Sequence, residues 1–342
     1  MNRVNLTISH KNNFDLLRLV FATMVVFVHI GTLTQQREFA WMMHFSGAFA
    51  VQAFFIVSGY LVTMSCEKTP SLLEFAKKRL LRIAPAYIFV IVGAAICLSM
   101  ISSLGFYEYF SSNGFWRYIG MNLILANFSA PSLPGVFVGQ YESAVNVSLW
   151  TIKIEVLFYV ATPLIVHAVR WAGYRRTLGA IFLFSAAWLV GFSLLGDYTA
   201  NDFYHKLAKQ LPGQMGFFAA GAWLYYAARD GIFPPWWLAA AGAAFYAFAD
   251  GWIFYIGAPV AVAALVGWAA LVAPHLGNIG KKGDFSYGIY LVHVPIVQTM
   301  IALGYFSGMP YAAMMATFGL VFIAGVLSWN FIEKPFVVRV KK

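Results

Sequence analysis

Apolar residues in this chain run in long blocks; they neither alternate at period two nor keep a single helical stripe. A helix needs about 20 mostly apolar residues to cross a bilayer core. Ten blocks meet or approach that length, at roughly 14–34, 44–64, 82–104, 147–169, 177–195, 212–228, 235–250, 252–273, 284–304 and 311–332. Polar punctuation separates them. Pro234 and Pro235 mark the start of the seventh, and Asp250–Gly251 divides it from the eighth. The pattern predicts an all-α polytopic membrane protein of about ten transmembrane helices, folded as a single domain over 1–342 without a soluble appendage. The longest connection, about 105–146, contains the apolar piece "YIGMNLILANF" and is expected to lie as an interfacial or re-entrant segment.

Composition agrees with this pattern. The 342 residues are 61% hydrophobic and 11% charged, against roughly 25% charged in a soluble domain. The first apolar block is full length and lacks a small-residue cleavage site, so it is expected to stay as the first span. Cys66 and Cys97 form no spaced pair, which argues against a disulfide framework or a zinc site. The scattered histidines likewise imply no metal.

Lys and Arg set the orientation. With the N-terminus in the cytoplasm, 17 of the 23 fall on inner segments and only Arg37, Arg117, Lys206 and Lys209 on outer ones. Both termini are therefore predicted to be cytoplasmic. The same bias accounts for the net charge of +10, so the basic balance requires no nucleic-acid partner.

The candidate chemistry lies in the polar residues inside the apolar blocks. Arg18 and His29 are eleven positions apart, a rotation of three turns plus roughly 20°, so both leave one helix face about 16 Å apart along the axis. Ionisable groups inside a membrane cost about 2.5–3.5 kcal/mol at the helix centre and mark function by default. The alternative is that Arg18 snorkels to the inner interface and His29 bonds a neighbouring helix. In "SLWTIKIEVLFY", Glu155 and Tyr159 stand one turn apart, and Glu155 is expected at a depth similar to that of His29. A carboxylate there would orient or charge-balance the imidazole; the competing role is an ion pair that locks helices. His293 precedes Pro295, where a packing role is favoured over catalysis. Ser58 and Gly59 in "FFIVSGYL" suit close helix approach. Arg79 and Arg82, three apart in "KKRLLRIAPAY", share a face and suit a phosphate-bearing ligand, although the positive-inside bias alone explains them. Two Asn-X-Ser triplets, at Asn127 and Asn146, fit a glycosylation pattern that is common by chance.

Taken together, "RLLRIAPAY", "FFIVSGYL", "SLWTIKIEVLFY", "FSYGIYLVHVP", "FIEKPF" and the Arg-x10-His of Arg18 and His29, preceded by Asp15, resemble the family-3 integral-membrane acyltransferases. Along the chain these markers are spread from residue 15 to 336. The resemblance implies a ten-helix acyltransferase domain of the stand-alone type, an acyl-CoA donor (most commonly acetyl-CoA) on the cytoplasmic side, and transfer to a hydroxyl of a glycan, lipid-linked sugar or small molecule. It also implies residence among the lipids of a bacterial inner membrane and surface-polysaccharide modification as a common role. It places Arg18 and His29, and Arg79 and Arg82, on family motif positions. On this reading the CoA phosphates bind among Arg79, Arg82 and Arg18, and His29 acts as general base or as a transiently acylated nucleophile. Glu155 assists His29, and Asp15, Ser58, Tyr159 and His293 shape the site. The competing class is an exporter in which Arg18, His29 and Glu155 form a proton or substrate relay.

Overall fold

The computed structural model describes residues 12–277 and 283–339. Among them no strand occurs, and the chain is an all-α polytopic membrane protein. The ten apolar blocks lie on α1 (Phe14–Thr34), α2 (Gly47–Lys68), α3 (Leu72–Cys97), α6 (Trp150–Ala172), α7 (Tyr174–Thr199), α9 (Leu211–Arg229), α10 (Trp236–Phe248), α11 (Gly251–Leu271), α12 (Ser286–Ala302) and α13 (Pro310–Leu327). Seven of the described helical segments are long and apolar enough to cross a bilayer: those containing α1, α2, α3, α6, α7, α11 and α13. Shorter helices α4 (Phe106–Ser111), α5 (Asn113–Leu123), α8 (Asp202–Ala208) and α14 (Lys334–Arg339) complete the set. Arg3, Lys11, Lys281, Lys282, Lys341 and Lys342, counted above among the inner cations, lie outside the described residues.

Several boundaries differ from the apolar windows. Helix α3 begins ten residues before the predicted span because hydrogen bonding does not stop where hydrophobicity does. The Ser71 hydroxyl accepts from the Glu74 amide at 3.2 Å and starts the helix within polar sequence. The last block ends differently: α13 passes through a π-helical turn, Ser328–Glu333, into α14. Segment 105–146 folds as two short helices, α4 and α5, followed by a 3-10 turn at Asn127–Ser129 and irregular chain.

The chain divides into two compact units. The first comprises the described parts of Met1–Arg18, Ala48–Ala76 and Ile154–Lys281. Here the start of α1 is pinned to the end of α11. The Asn13 side-chain amide donates to the carbonyls of Ala269 and Pro274 at 2.9 and 3.1 Å, and its oxygen accepts from the Leu276 amide at 3.0 Å. Helices α2 and α9 meet backbone to backbone. A Cβ at Gly59 would lie 2.1 Å from the Phe218 carbonyl oxygen, and one at Gly221 would lie 2.0 Å from that of Ile56. Only glycine permits this approach, which is the close helix contact read from "FFIVSGYL".

The second unit comprises Leu19–Gly47, Lys77–Lys153 and the described part of Lys282–Lys342. It carries the C-terminal part of α1, most of α3, the 105–146 segment, α12 and α13. The 3-10 helix Arg37–His44 folds back on α1, burying Phe39 and Met42 against Gly31. The 105–146 segment is built around buried Asn122. Its side-chain amide donates to the Tyr118 and Ala130 carbonyls at 2.8 and 2.9 Å, and its side-chain oxygen accepts from Asn127 Nδ2 at 2.9 Å. Tyr87 from α3 donates to the Asn122 carbonyl at 2.7 Å. The segment is also tied to α12, where Gln298 Nε2 donates to the carbonyls of Glu142 and Ala144 at 3.0 and 2.7 Å. These amides satisfy backbone groups that irregular chain would otherwise leave unpaired in an apolar setting.

Candidate active site

Helix α12 organises the polar residues of the second unit. Pro295 has no amide hydrogen and cannot bond the carbonyl of Leu291 four residues earlier. Asn146 supplies the missing donor, its Nδ2 lying 2.8 Å from the Leu291 oxygen. The Asn146 side-chain oxygen meanwhile accepts from the Ser148 amide and hydroxyl at 3.2 and 2.7 Å. The Asn146 triplet is thus a buried structural device. Tyr290 adds a second anchor, its hydroxyl 2.7 Å from Thr151 Oγ1. The stretch 290–293 is held both at its backbone and at a side chain.

On this stretch stands His293, which is fully buried. Its Nδ1 lies 2.7 Å from the Tyr290 carbonyl oxygen and donates to it, since a carbonyl only accepts. Its Nε2 lies 2.8 Å from Nδ1 of His29 on α1. The two rings are nearly parallel, with centroids 4.9 Å apart and planes 25° apart. His29 itself is half-buried, and its Nε2 has no hydrogen-bond partner among the described residues. His293 thus bonds the Nδ1 edge of the His29 ring. In the first unit, Glu155 Oε1 accepts a hydrogen bond from Ser58 Oγ at 2.7 Å. Arg18 and Tyr159 are half-buried in that unit, and Asp15 is exposed.

A second polar cluster joins α3, the residues before α12 and the π turn. Arg82 Nη1 donates to Glu333 Oε2 at 3.0 Å, and Arg82 Nη2 bonds Asp284. Its guanidinium also lies 5.5 Å from the Tyr287 ring centroid and 5.8 Å from that of Trp329. Both carboxylates are held in turn. Ser286 donates to Asp284 Oδ1 at 2.6 Å, and Ser328 donates to Glu333 Oε1 at 2.9 Å. Gly288 leaves room for this packing, because a Cβ there would lie 2.9 Å from Ser328 Cβ. Arg82 thus already carries two acidic partners, while Arg79 is half-buried one turn earlier on α3.

Four residues that matter here are not singled out by the sequence pattern: Asn146 as a helix anchor, Asp284, Tyr290 and Glu333. Two left a signal. Asp284 adjoins "FSYGIYLVHVP", and Glu333 lies inside "FIEKPF", in a chain with only 13 acidic residues. A buried acid in so apolar a chain requires a cation, and Arg82 is that cation.

The chain has relatives among known proteins. It is 29% identical to Nodulation protein 10 of Rhizobium leguminosarum bv. viciae, over 95% of this chain and 93% of that protein. It is 28% identical to an O-acetyl transferase of Shigella phage Sf6, over 96% of this chain and 97% of that protein. It is also 24% identical to the O-acetyltransferase OatA of Staphylococcus aureus, over 90% of this chain but 55% of that longer protein. No solved structure matches. The model of the acyltransferase domain family matches residues 11–332, nearly the whole chain, and this integral-membrane protein therefore belongs to that family and is an acyl-transferring enzyme.

Proposed function

We propose that the enzyme moves an acetyl group from cytoplasmic acetyl-CoA to a hydroxyl of a glycan, lipid-linked sugar or small molecule at the outer side of a bacterial inner membrane. Two of the relatives above are named for O-acetyl transfer, which supports the acyl group and the oxygen acceptor. The observation that carries the reading is His29: a half-buried imidazole on an apolar helix, anchored through Nδ1, with Nε2 bonded to no described residue. That is the arrangement of a general base.

The proton of the acceptor hydroxyl passes to His29 as the oxygen attacks the thioester carbonyl. The oxygen–carbon bond forms, the carbon–sulfur bond breaks, and the proton moves from His29 to the departing CoA thiolate. Arg79, with Arg82 beside it on α3, receives the CoA phosphates. The acidic partners of Arg82 give it the further task of holding α3 to α12. Arg18 and Glu155 belong to the proposal through their place in the sequence pattern, as does the ten-span topology with both termini in the cytoplasm.

The test uses purified protein in nanodiscs with acetyl-labelled acetyl-CoA and an added membrane glycan and lipid-linked sugar fraction as the source of acceptor hydroxyls, water being the alternative acceptor. Label should leave the donor in the wild type and remain on it in His29→Ala. Trapping of an acetyl adduct on His29 would replace direct transfer by the covalent route. Comparison of surface glycans from a deletion strain and its parent by mass spectrometry should show one mass difference, which reports acyl group and acceptor together. An added C-terminal cysteine should react with an impermeant reagent only after the cytoplasmic face is opened.

A further inference from the structure

His293 is absent from the chemistry above, yet its geometry determines which nitrogen of His29 can act. The Tyr290 carbonyl oxygen can only accept, so the His293 nitrogen 2.7 Å away, Nδ1, carries a hydrogen. A neutral imidazole has one N–H, which leaves His293 Nε2 with a lone pair and no hydrogen. The nitrogen 2.8 Å from that lone pair, Nδ1 of His29, must then be the donor. Neutral His29 has spent its only N–H on this bond, and its Nε2 is left as a lone pair. The other assignment would make His293 an imidazolium. Its ring is fully buried, and its hydrogen-bonding neighbours among the described residues are backbone carbonyls and another imidazole, not a carboxylate. Burial strongly disfavours a cation that has no opposite charge beside it.

We propose that His293 is a positioning residue: it fixes the proton of His29 on Nδ1 and so reserves His29 Nε2 for the acceptor hydroxyl. The proposal rests on the reading of His29 as the base. It assigns to a neutral histidine the task that a carboxylate performs in many base pairs, orienting the ring and selecting its tautomer. A neutral partner suits this place. When His29 takes the hydroxyl proton on Nε2 it becomes an imidazolium whose Nδ1–H still donates to His293 Nε2. When it returns that proton to the CoA thiolate the original tautomer is restored. The near-parallel rings, 25° apart, and the anchoring of α12 through Asn146 and Thr151 keep the bond in place across both states.

Two measurements test this. The first needs no variant of His293. Histidine-specific 15N labelling of the protein in nanodiscs, with the His29 ring assigned by loss of its signals in His29→Gln, should show a protonated Nδ1 and an unprotonated Nε2. A His29 protonated at Nε2 overturns the proposal. The second is a variant series read as kcat and KM for acetyl-CoA. His293→Phe keeps the ring volume but offers no acceptor, and should lower kcat by roughly 10²-fold or more with KM little changed. His293→Gln places an acceptor oxygen near the former Nε2, and should stay within about tenfold of wild type. Equal rates for the Gln and Phe variants, or an unaffected Phe variant, would overturn the positioning role. The two readings fail separately. Full activity in His29→Ala would break the base assignment itself, whereas an Nε2-protonated His29 in an enzyme that requires His29 would break only the role given to His293.

Discussion

The second unit contains two polar clusters attached to α12, and they solve the problem of polarity in an apolar setting in opposite ways. At the start of the helix, Arg82 faces Asp284 and Glu333, and each carboxylate has a serine of its own. Every charge there has an opposite charge or a donor beside it. Two turns on, His293 and His29 share one hydrogen bond, and the series of bonds ends at a nitrogen bonded to no described residue. The first cluster is saturated and resists change. The second is held rigidly on one side and open on the other, which is what a reagent requires. The contrast teaches that motif arginines and motif histidines of one family can carry different burdens: Arg82 is engaged in tying α3 to α12, while His29 keeps a nitrogen in reserve.

The sharpest way to break this comparison is to exchange the consequences. His29→Ala should lower turnover by roughly 10²–10⁴-fold, with a smaller loss of stability, about 1–3 kcal/mol, for the buried His293 nitrogen left unsatisfied. Arg82→Ala should do the reverse first. It strands the buried Glu333 carboxylate and the half-buried Asp284, and breaking a buried pair by removing one partner costs about 3–5 kcal/mol. The expected readout is a large drop in melting temperature and yield, with partial recovery in Arg82→Ala/Glu333→Gln. A stable but inactive Arg82→Ala would instead make Arg82 chiefly a ligand of the donor.

Smaller effects sharpen the same contrast. Arg79→Ala should weaken acetyl-CoA binding by about tenfold or more, since a charge-assisted contact is worth roughly 1.5–3 kcal/mol. Dephospho-CoA in the same calorimetric titration shows whether the 3′-phosphate is the group contacted. Unchanged affinity would leave Arg79 to the positive-inside bias. Asn146→Ala removes the donor that compensates for Pro295, leaving a buried carbonyl unsatisfied at a cost of about 1–3 kcal/mol. Because that carbonyl lies between Tyr290 and His293, Asn146→Ala should also loosen the ring pair. A modest loss of kcat without a change in donor KM is the expected signature.

Much of the candidate chemistry is legible in the residues alone. Arg18, His29, Arg79, Arg82 and Glu155 are conspicuous because 11% charge in a chain this apolar makes each one expensive. Gly59 is legible as a contact point because small residues are where membrane helices meet. The partners are harder to read. Periodicity gives the face from which a side chain leaves its own helix, but says nothing of the residue 264 positions away that meets it. Glu155 is legible as a carboxylate expected at a depth similar to that of His29. The partner at Nδ1 is a histidine that the adjacent proline makes look like a packing residue. Pro295 also conceals its own remedy: a missing amide hydrogen is visible in the sequence, the asparagine that replaces it is not.

The sequence by itself determined the class of molecule, because the length and spacing of apolar blocks answer to the thickness and dryness of a bilayer, which are the same for every chain. It determined the chemistry on offer as well, since ionisable side chains are not tolerated in such blocks without use. Only the tertiary structure decided which of those groups are consumed by one another and which is left open. Hydrogen bonds are made over roughly 2.5–3.2 Å between atoms whose positions depend on how distant segments pack. The proton of His29 is the clearest instance. Its place follows from a carbonyl on α12, a buried ring between them, and the rule that each ring nitrogen donates or accepts but not both.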